Sequence, residues 1–296
     1  MRVALLCGLL CAWFPLAGAE VRVATMNLRN YLVQDRMVDG RWRTNHPKPE
    51  TEKLALAKAV VEIAPDILAM QEMGPGPFLR EFATDLKAAG VDYPYAVLME
   101  ADDPDRHLAL LSRIPPVEVI QHDDLEFPYE GERIPVKRGL LEVIFPFGEA
   151  DGQTWSLFVV HLKSRWSDVA ADPLSSERRT KEAQAIRNRI LDRFPDGVGR
   201  YLIVGDFNDH RSSSTVRRFL SRGSVSISRI VESYDSRGET WTFYYGKKDL
   251  YERVDFILSS AALAPFLSGN EGTVFDLQYI RKGTDHRPVY VDLELP

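Results

Sequence analysis

Between residues 95 and 164 the chain runs through four strand-like segments with no helical pattern between them: YAVLME (95–100), HLALLSR (107–113), RGLLEVIFPF (138–147) and TWSLFVVHLKS (154–164). Successive strands without a crossover helix pair most readily as antiparallel neighbours, because a parallel return needs a dozen or more residues. Helical patterns occur elsewhere, at 48–64, 76–90 and 175–194. In the first of these, Leu54, Ala57, Val60 and Val61 define the expected buried face, with Pro49 near its start. Further strands are expected at VRVATMNL (21–28), DILAMQE (66–72), RYLIVGDFN (200–208), RVDFILSS (253–260) and RPVYVDLEL (287–295). A doubly wound parallel sheet would alternate strand and helix throughout. This order predicts instead an α/β chain in which two sheets pack face to face with helices outside. Pro and Gly are spread evenly, so residues 20–296 are expected to form one domain.

The first 19 residues stand apart. MRVALLCGLLCAWFPLAGAE has an early cation, Arg2, then an apolar run, then Ala17-Gly18-Ala19. This is the n-region, h-region and small-residue cleavage pattern of a secretory signal peptide, so residues 1–19 are expected to be removed and the product secreted or periplasmic. The two cysteines, Cys7 and Cys11, lie in that leader, which leaves a mature chain without disulfides. No later stretch approaches the ~18 apolar residues of a membrane span. A monomer without stable membrane association is expected. The net charge of −6 argues against non-specific coating of nucleic acid, though it leaves room for a local basic groove.

Most of the apolar runs carry a polar residue at one end. Asn27 closes the first strand, Glu72 the second, and His161 falls near the end of TWSLFVVHLKS. YLIVGDFN ends in Asp206 and Asn208, Asp255 opens the strand after RV, and Asp285 and His286 precede the last strand. Each alone has a bland explanation as a turn residue, a loop carboxylate or a satisfied histidine. On adjacent strands they converge on one rim. In an extended chain Asp206 and Asn208 face one side together while Phe207 returns to the core. A carboxylate takes a proton from water or binds a metal, and an amide hydrogen-bonds to water or to a phosphate oxygen. Glu72 and Asp285 are hard oxygen donors of the kind Mg²⁺ takes beside its own waters. His161 and His286 can donate to oxygens that gain charge, and Arg113 offers a fork for phosphate. Together these groups suit metal-assisted attack of water on phosphorus.

At this point the sequence resembles the endonuclease/exonuclease/phosphatase superfamily, which includes pancreatic-type deoxyribonucleases, apurinic/apyrimidinic endonucleases, neutral sphingomyelinases and inositol polyphosphate 5-phosphatases. MNLRN, DILAMQE, LLSRIP, VVHLKS, VGDFN, RVDFILSS and TDHRPV are similar to its motifs, in its order, over nearly all of the mature chain. The resemblance implies a four-layer α/β/β/α sandwich and a phosphoesterase. It implies that Asp206, helped by Asn208, activates water. It places Mg²⁺, or Mn²⁺, on Glu72 with Asn27 and Asp285 close by. It makes His286, oriented by Asp255, a donor to the transition state. His161 would do the same from the other side or protonate the leaving group, paired with an acid for which Glu100 is a candidate. Arg113, Lys163 and Asn208 are the expected substrate contacts. Arg165 and Trp166 beside the HLKS motif, the segments 41–49 and 133–139, and the cations of the 175–194 helix are further candidates for contact with nucleic acid. For that helix a solvated face explains the charges equally well.

The expected function is hydrolysis of nucleic-acid phosphodiesters. A lipid or small-molecule phosphoesterase is the alternative within this fold. A non-catalytic binding protein would have lost motif residues, and none is missing.

Overall fold

Alternation along the strands sorts their side chains into separate apolar layers. The computed structural model describes residues 19–148 and 152–296. The predicted leader lies outside the described residues except for Ala19, whose backbone pairs with Leu295.

Thirteen strands build two sheets. They are β1 (Ala19–Tyr31), β2 (Ile67–Met73), β3 (Tyr95–Met99), β4 (His107–Ser112), β5 (Glu118–His122), β6 (Leu140–Pro146), β7 (Thr154–His161), β8 (Tyr201–Asp206), β9 (Arg229–Ile230), β10 (Ser233–Tyr234), β11 (Asp255–Ser259), β12 (Gly272–Val274) and β13 (Val289–Leu295). The first sheet has the order β10-β12-β13-β1-β2-β4-β3 and the second β9-β11-β8-β7-β6-β5. Each centres on one parallel pair joined by a helix. The helix α1 (Glu50–Ile63) lies between β1 and β2, and α3 (Ser176–Arg193) between β7 and β8; α2 is Gly76–Ala88 and α4 is Ser214–Leu220.

The layers follow from parity. Val21 and Val23 of β1, with Ile67 and Ala69 of β2, meet Leu157, Val159, Leu202 and Val204 of the other sheet in the central core. Ala24, Met26, Leu28, Leu68 and Met70 point the opposite way, against α1 and α2. Phe158, Val160, Tyr201 and Ile203 pack under Ala183, Ile186 and Ile190 of α3 and Val216 and Phe219 of α4. The result is the four-layer α/β/β/α sandwich. One expected face is rotated: α1 buries Leu56, Ala57, Val60 and Ile63, while Leu54 is 66% exposed. Positions 56, 60 and 63 continue the 3.6-residue stripe through Ala57, which leaves Leu54 on the flank.

The arrangement fixes where chemistry can sit. β13 runs antiparallel to β1, and β11 runs antiparallel to β8. The carboxyl ends of β1, β2, β7 and β8 therefore open at the same rim as the amino ends of β11 and β13.

Candidate active site

The ladders bring the polar strand ends side by side. His161 stands opposite Asp206 in the β7–β8 pair, and Asp206 opposite Asp255 in the β8–β11 pair. Across the gap between the sheets, the Asn27 amide nitrogen donates to Asp206 Oδ2 at 3.0 Å and to Glu72 Oε1 at 3.2 Å. Asn27 thus stitches the two sheets together at the site. Asp206 is 1% exposed, and Asn27, His161, Asp255 and His286 are also buried.

Local backbone geometry sets the aim of these groups. Phe207 packs against Phe219 and Phe256, with ring centroids 5.1 and 5.5 Å away. That outward turn brings the chain into a left-handed conformation at Asn208, φ 52°. Asn208 therefore reaches the site through a tight turn rather than through continued extension. Its N–H donates to Asp206 Oδ1 at 2.8 Å, and its amide nitrogen donates to Asp206 Oδ2 at 3.1 Å and to the Leu162 carbonyl at 2.9 Å. Glu72 is also left-handed, φ 60°, where the pairing register of β2 shifts. Bulges of this kind re-aim a side chain beside an active site. Arg29 and Asn30, at φ 49° and 57°, complete a cluster of left-handed residues on the same rim. The Asn30 N–H holds Glu72 Oε2 at 2.8 Å.

His286 Nδ1 lies 2.9 Å from Asp255 Oδ2, and its Nε2 lies 3.9 Å from Asp206 Oδ2. Asp255 is fixed in turn by its own N–H on Thr242 Oγ1, at 3.0 Å. Burial alone would lower the His286 pKa, but the Asp255 and Asp206 carboxylates push it up to about 10. The ring is an imidazolium at neutral pH. Burial pushes the Asp206 carboxyl up, Asp255 and Glu72 add to that and His286 opposes it, leaving it at about 7. His161 differs. Burial, and then the cations Arg138, His286, Arg106 and Lys163, hold its pKa well below the ordinary value. Its Nε2 is 3.7 Å from both Glu72 Oε1 and Asp206 Oδ2. A neutral ring offers a hydrogen bond, so the expected role of His161 as the acid that protonates a leaving group does not fit this environment.

The donor set fits a hard divalent cation. Glu72, Asp206 and Asp255 converge in a buried space where His286 is the counter-charge in direct contact, and the raised Asp206 pKa reports that excess of negative charge. Asp206, Asp255 and His286 themselves cluster within 4.8 Å. Yet His286 is tied to Asp255, and Mg²⁺ prefers oxygen, so these three read as a proton-handling group rather than a ligand set. Glu72 is the carboxylate that would hold the ion. Asn27 is corrected from the expected metal contact: its Oδ1 accepts the Arg29 N–H at 2.8 Å, so its amide nitrogen, which is no ligand, faces the carboxylates. Asp285 stands at the open edge, one-third exposed and 3.7 Å from Arg29 Nε.

Two expected substrate contacts are also corrected. Arg113 follows the last residue of β4, and β4 runs antiparallel to β2, with Ser112 opposite Ile67 and His107 opposite Met73. Arg113 therefore lies at the far end of the sheet from Glu72, beside Asp66 at 3.5 Å and over the Tyr93 ring. Lys163 is beside the site, but its ammonium is spent on its own loop, on the Ser164 and Trp166 carbonyls. Glu100 is exposed and has no bond to His161; of the acids that follow it, Asp103 is buried and faces Arg138 at 3.2 Å. The α3 cations hold the fold together: Arg179 binds Asp209, Arg189 binds Asp124 and Arg193 binds the buried Glu142.

The hairpin of Phe243–Tyr245 and Leu250–Glu252 passed unread in the sequence, although it shapes the surroundings of His286. The Phe243 ring packs 4.9 Å from the His286 ring. On one side of the hairpin a cleft of about 580 Å³ is lined by Trp166, Leu174, Phe243, Tyr245 and Leu250, with Asn208 and His286 at its end. On the other, a cleft of about 370 Å³ is lined by Arg29, Trp241, Tyr244, Lys247 and Arg281, again with His286. The Arg165–Glu252 ion pair, at 2.7 Å, links the loop that carries Trp166 to the hairpin. The signal in the sequence was WTFYYGKKDLY, an aromatic-rich turn that directly precedes the Asp255 strand.

The structure is similar to the human Nocturnin catalytic domain with bound sulfate, at TM-score 0.64 and 17% identity over 94% of this chain and 95% of that one. It is similar to a mannosyl-6-phosphatase from Bacteroides thetaiotaomicron, at TM-score 0.60 and 18% identity over 92% and 98%. It is also similar to beta toxin from Staphylococcus aureus with bound magnesium ions, at TM-score 0.60 and 13% identity over 92% and 99%. No curated protein matches the sequence. Those structures establish a shared fold, and the family follows from a separate match: residues 24–286 fit the model of the endonuclease/exonuclease/phosphatase family, so that Glu72, His161, Asp206, Asp255 and His286 all fall inside the matched span. The chain belongs to that family of phosphoester hydrolases.

Proposed function

We propose that the protein is an exported, divalent-metal-dependent phosphodiesterase that hydrolyses nucleic acid by attack of an activated water. The observation that carries this reading is the pair of clefts that meet at His286. A phosphodiester has two ester arms, and each cleft offers one of them a way out. Both combine aromatic rings with cations, the pairing that accepts bases and backbone phosphates. In this scheme Asp206 takes the proton of the attacking water, with Asn27 and Asn208 fixing its oxygens. The His286 imidazolium donates to an oxygen that gains charge, and Asp255 holds it in line. Neutral His161 donates a hydrogen bond from the opposite side. A divalent cation held by Glu72, with Asp285 as a further oxygen donor, would supply Lewis-acid charge at the phosphoryl and leaving oxygens.

The test is a panel in which the mature protein, with Mg²⁺, Mn²⁺ or EDTA, meets plasmid DNA, RNA, sphingomyelin and a chromogenic phosphodiester. EDTA-sensitive cleavage of DNA or RNA is expected. The apolar lining of the larger cleft supports a second reading, a lipid or small-molecule phosphoesterase. Hydrolysis confined to sphingomyelin would establish that reading and end the nuclease one. Trp166, 71% exposed on the wall of that cleft, is the expected stacking platform. Base stacking on an aromatic ring is worth about 1–3 kcal/mol, so Trp166→Ala is expected to raise KM for nucleic acid roughly tenfold with kcat little changed.

A further inference from the structure

With Arg113 at the far end of its sheet and Lys163 bound to its own loop, the site lacks the cation that a phosphoryl group needs on the His161 side. The structure supplies another. Extending the β6–β7 register beyond the Leu141–Val159 pair sets Gly139 opposite His161, so Arg138 enters the site beside that histidine. The segment is pinned there. Lys137 accepts the Asp103 N–H at 2.8 Å, and a Cβ on Gly139 would lie 2.9 Å from the His122 carbonyl, which leaves no room for the chain to withdraw.

Arg138 is 9% exposed, yet its Nε and Nη1 have no hydrogen-bond partner among the described residues. Its one close anion, Asp103 Oδ2, faces Nε at 3.2 Å outside hydrogen-bonding geometry, while Oδ1 accepts the N–H groups of Asp105 and Arg106. The neighbouring His161 Nδ1 is likewise buried and unpartnered. A buried guanidinium with unused donors is costly unless an anion completes it. The acidic pole of the site, Glu72 with Asp206 and Asp255, lies on the other side of His161 Nε2.

We propose that Arg138 is a substrate-contacting residue whose guanidinium takes a non-bridging oxygen of the phosphoryl group, opposite the carboxylates that face the metal. The planar fork matches a tetrahedral oxyanion better than an ammonium does. The proposal rests on the phosphoester-hydrolase reading but requires no particular ester.

The test measures anion binding, not turnover. Inorganic phosphate is titrated calorimetrically into an Asp206→Asn background carrying Arg138→Met, Arg138→Lys or Lys163→Met. Hydrogen bonds to charged groups are worth about 1.5–3 kcal/mol, so Arg138→Met should weaken phosphate binding about tenfold or more. Arg138→Lys, which keeps the charge without the fork, should lose a smaller factor, and Lys163→Met should stay within about twofold. If Arg138→Met does not fold, the Arg138→Lys result decides. Unchanged phosphate affinity in the Arg138 variants would overturn the proposal, and so would an equal loss in Lys163→Met, which would mark a diffuse field rather than a contact. If phosphate binding depends on Arg138 but no nucleic acid is cleaved in the substrate panel, the nuclease reading fails and this one stands.

Discussion

Asp206→Asn is expected to lower kcat by about 10²–10⁴, the range for loss of a positioned general base, while KM changes little. The side chain keeps its shape, and an amide can still accept from Asn27 and from the Asn208 N–H. What disappears is the ability to take a proton. Loss of activity should come with a gain in thermal stability. The folded protein holds the Asp206 carboxyl above its ordinary value, up to about 7, so at pH 8 the fold carries a buried charge that the variant removes. Melting curves beside the rate measurements separate lost chemistry from unfolding, because unfolding would move both downward. The wild-type rate should also fall on the acid side as Asp206 becomes protonated, with a midpoint no higher than about 7, since a bound divalent cation favours the carboxylate. A rate that stays flat down to pH 5 would rule out Asp206 as the base.

Asp235→Ala is expected to cost about 3–5 kcal/mol of stability, the usual effect of removing one partner of a buried ion pair. Asp235 accepts from Arg287 Nη2 at 2.7 Å and from the N–H groups of Arg237 and Glu239 at 2.9 and 2.8 Å. Without it, Arg287, also buried, keeps only the Phe275 and Trp241 carbonyls. Burial alone would raise the Asp235 pKa, but the hydrogen bonds from Arg287 and the backbone hold it far below the ordinary 3.8. A carboxyl lowered in the folded state stabilises above the unfolded value, and that contribution fades as the pH drops below it. Urea denaturation of both proteins should therefore show a gap that is full at pH 7 and narrower at pH 3. Arg287 is next to His286 and lies over the Trp241 ring, so the variant should lose activity as well.

How much of this was legible in the sequence depends on the kind of residue. Glu72, His161, Asp206, Asp255 and His286 were visible because an apolar run that ends in a chemically active group is conspicuous, and because the motif order is preserved. The two-sheet architecture was visible in the uninterrupted strands between 95 and 164. Arg113 was misplaced because a strand pattern carries no direction: HLALLSR reads alike whichever end faces the site, and only its antiparallel pairing with β2 decides. Lys163 was misassigned because sequence shows a cation but not where its donors go. The hairpin at 243–252 and the role of Arg138 depend on tertiary placement. Neither alternates cleanly between apolar and polar, and the Arg138 position becomes meaningful only once β6 is set against β7.

The left-handed cluster at the rim has an evolutionary consequence. Glu72, Asn208, Arg29 and Asn30 each hold a backbone conformation that costs an L-residue energy and that glycine adopts freely. Stability alone would therefore favour glycine at each of them, and chemistry forbids it at Glu72 and Asn208. Those positions are under two opposed selection pressures, so a lineage pushed toward heat tolerance would have to find its gains elsewhere in the chain and leave the strain at the rim untouched.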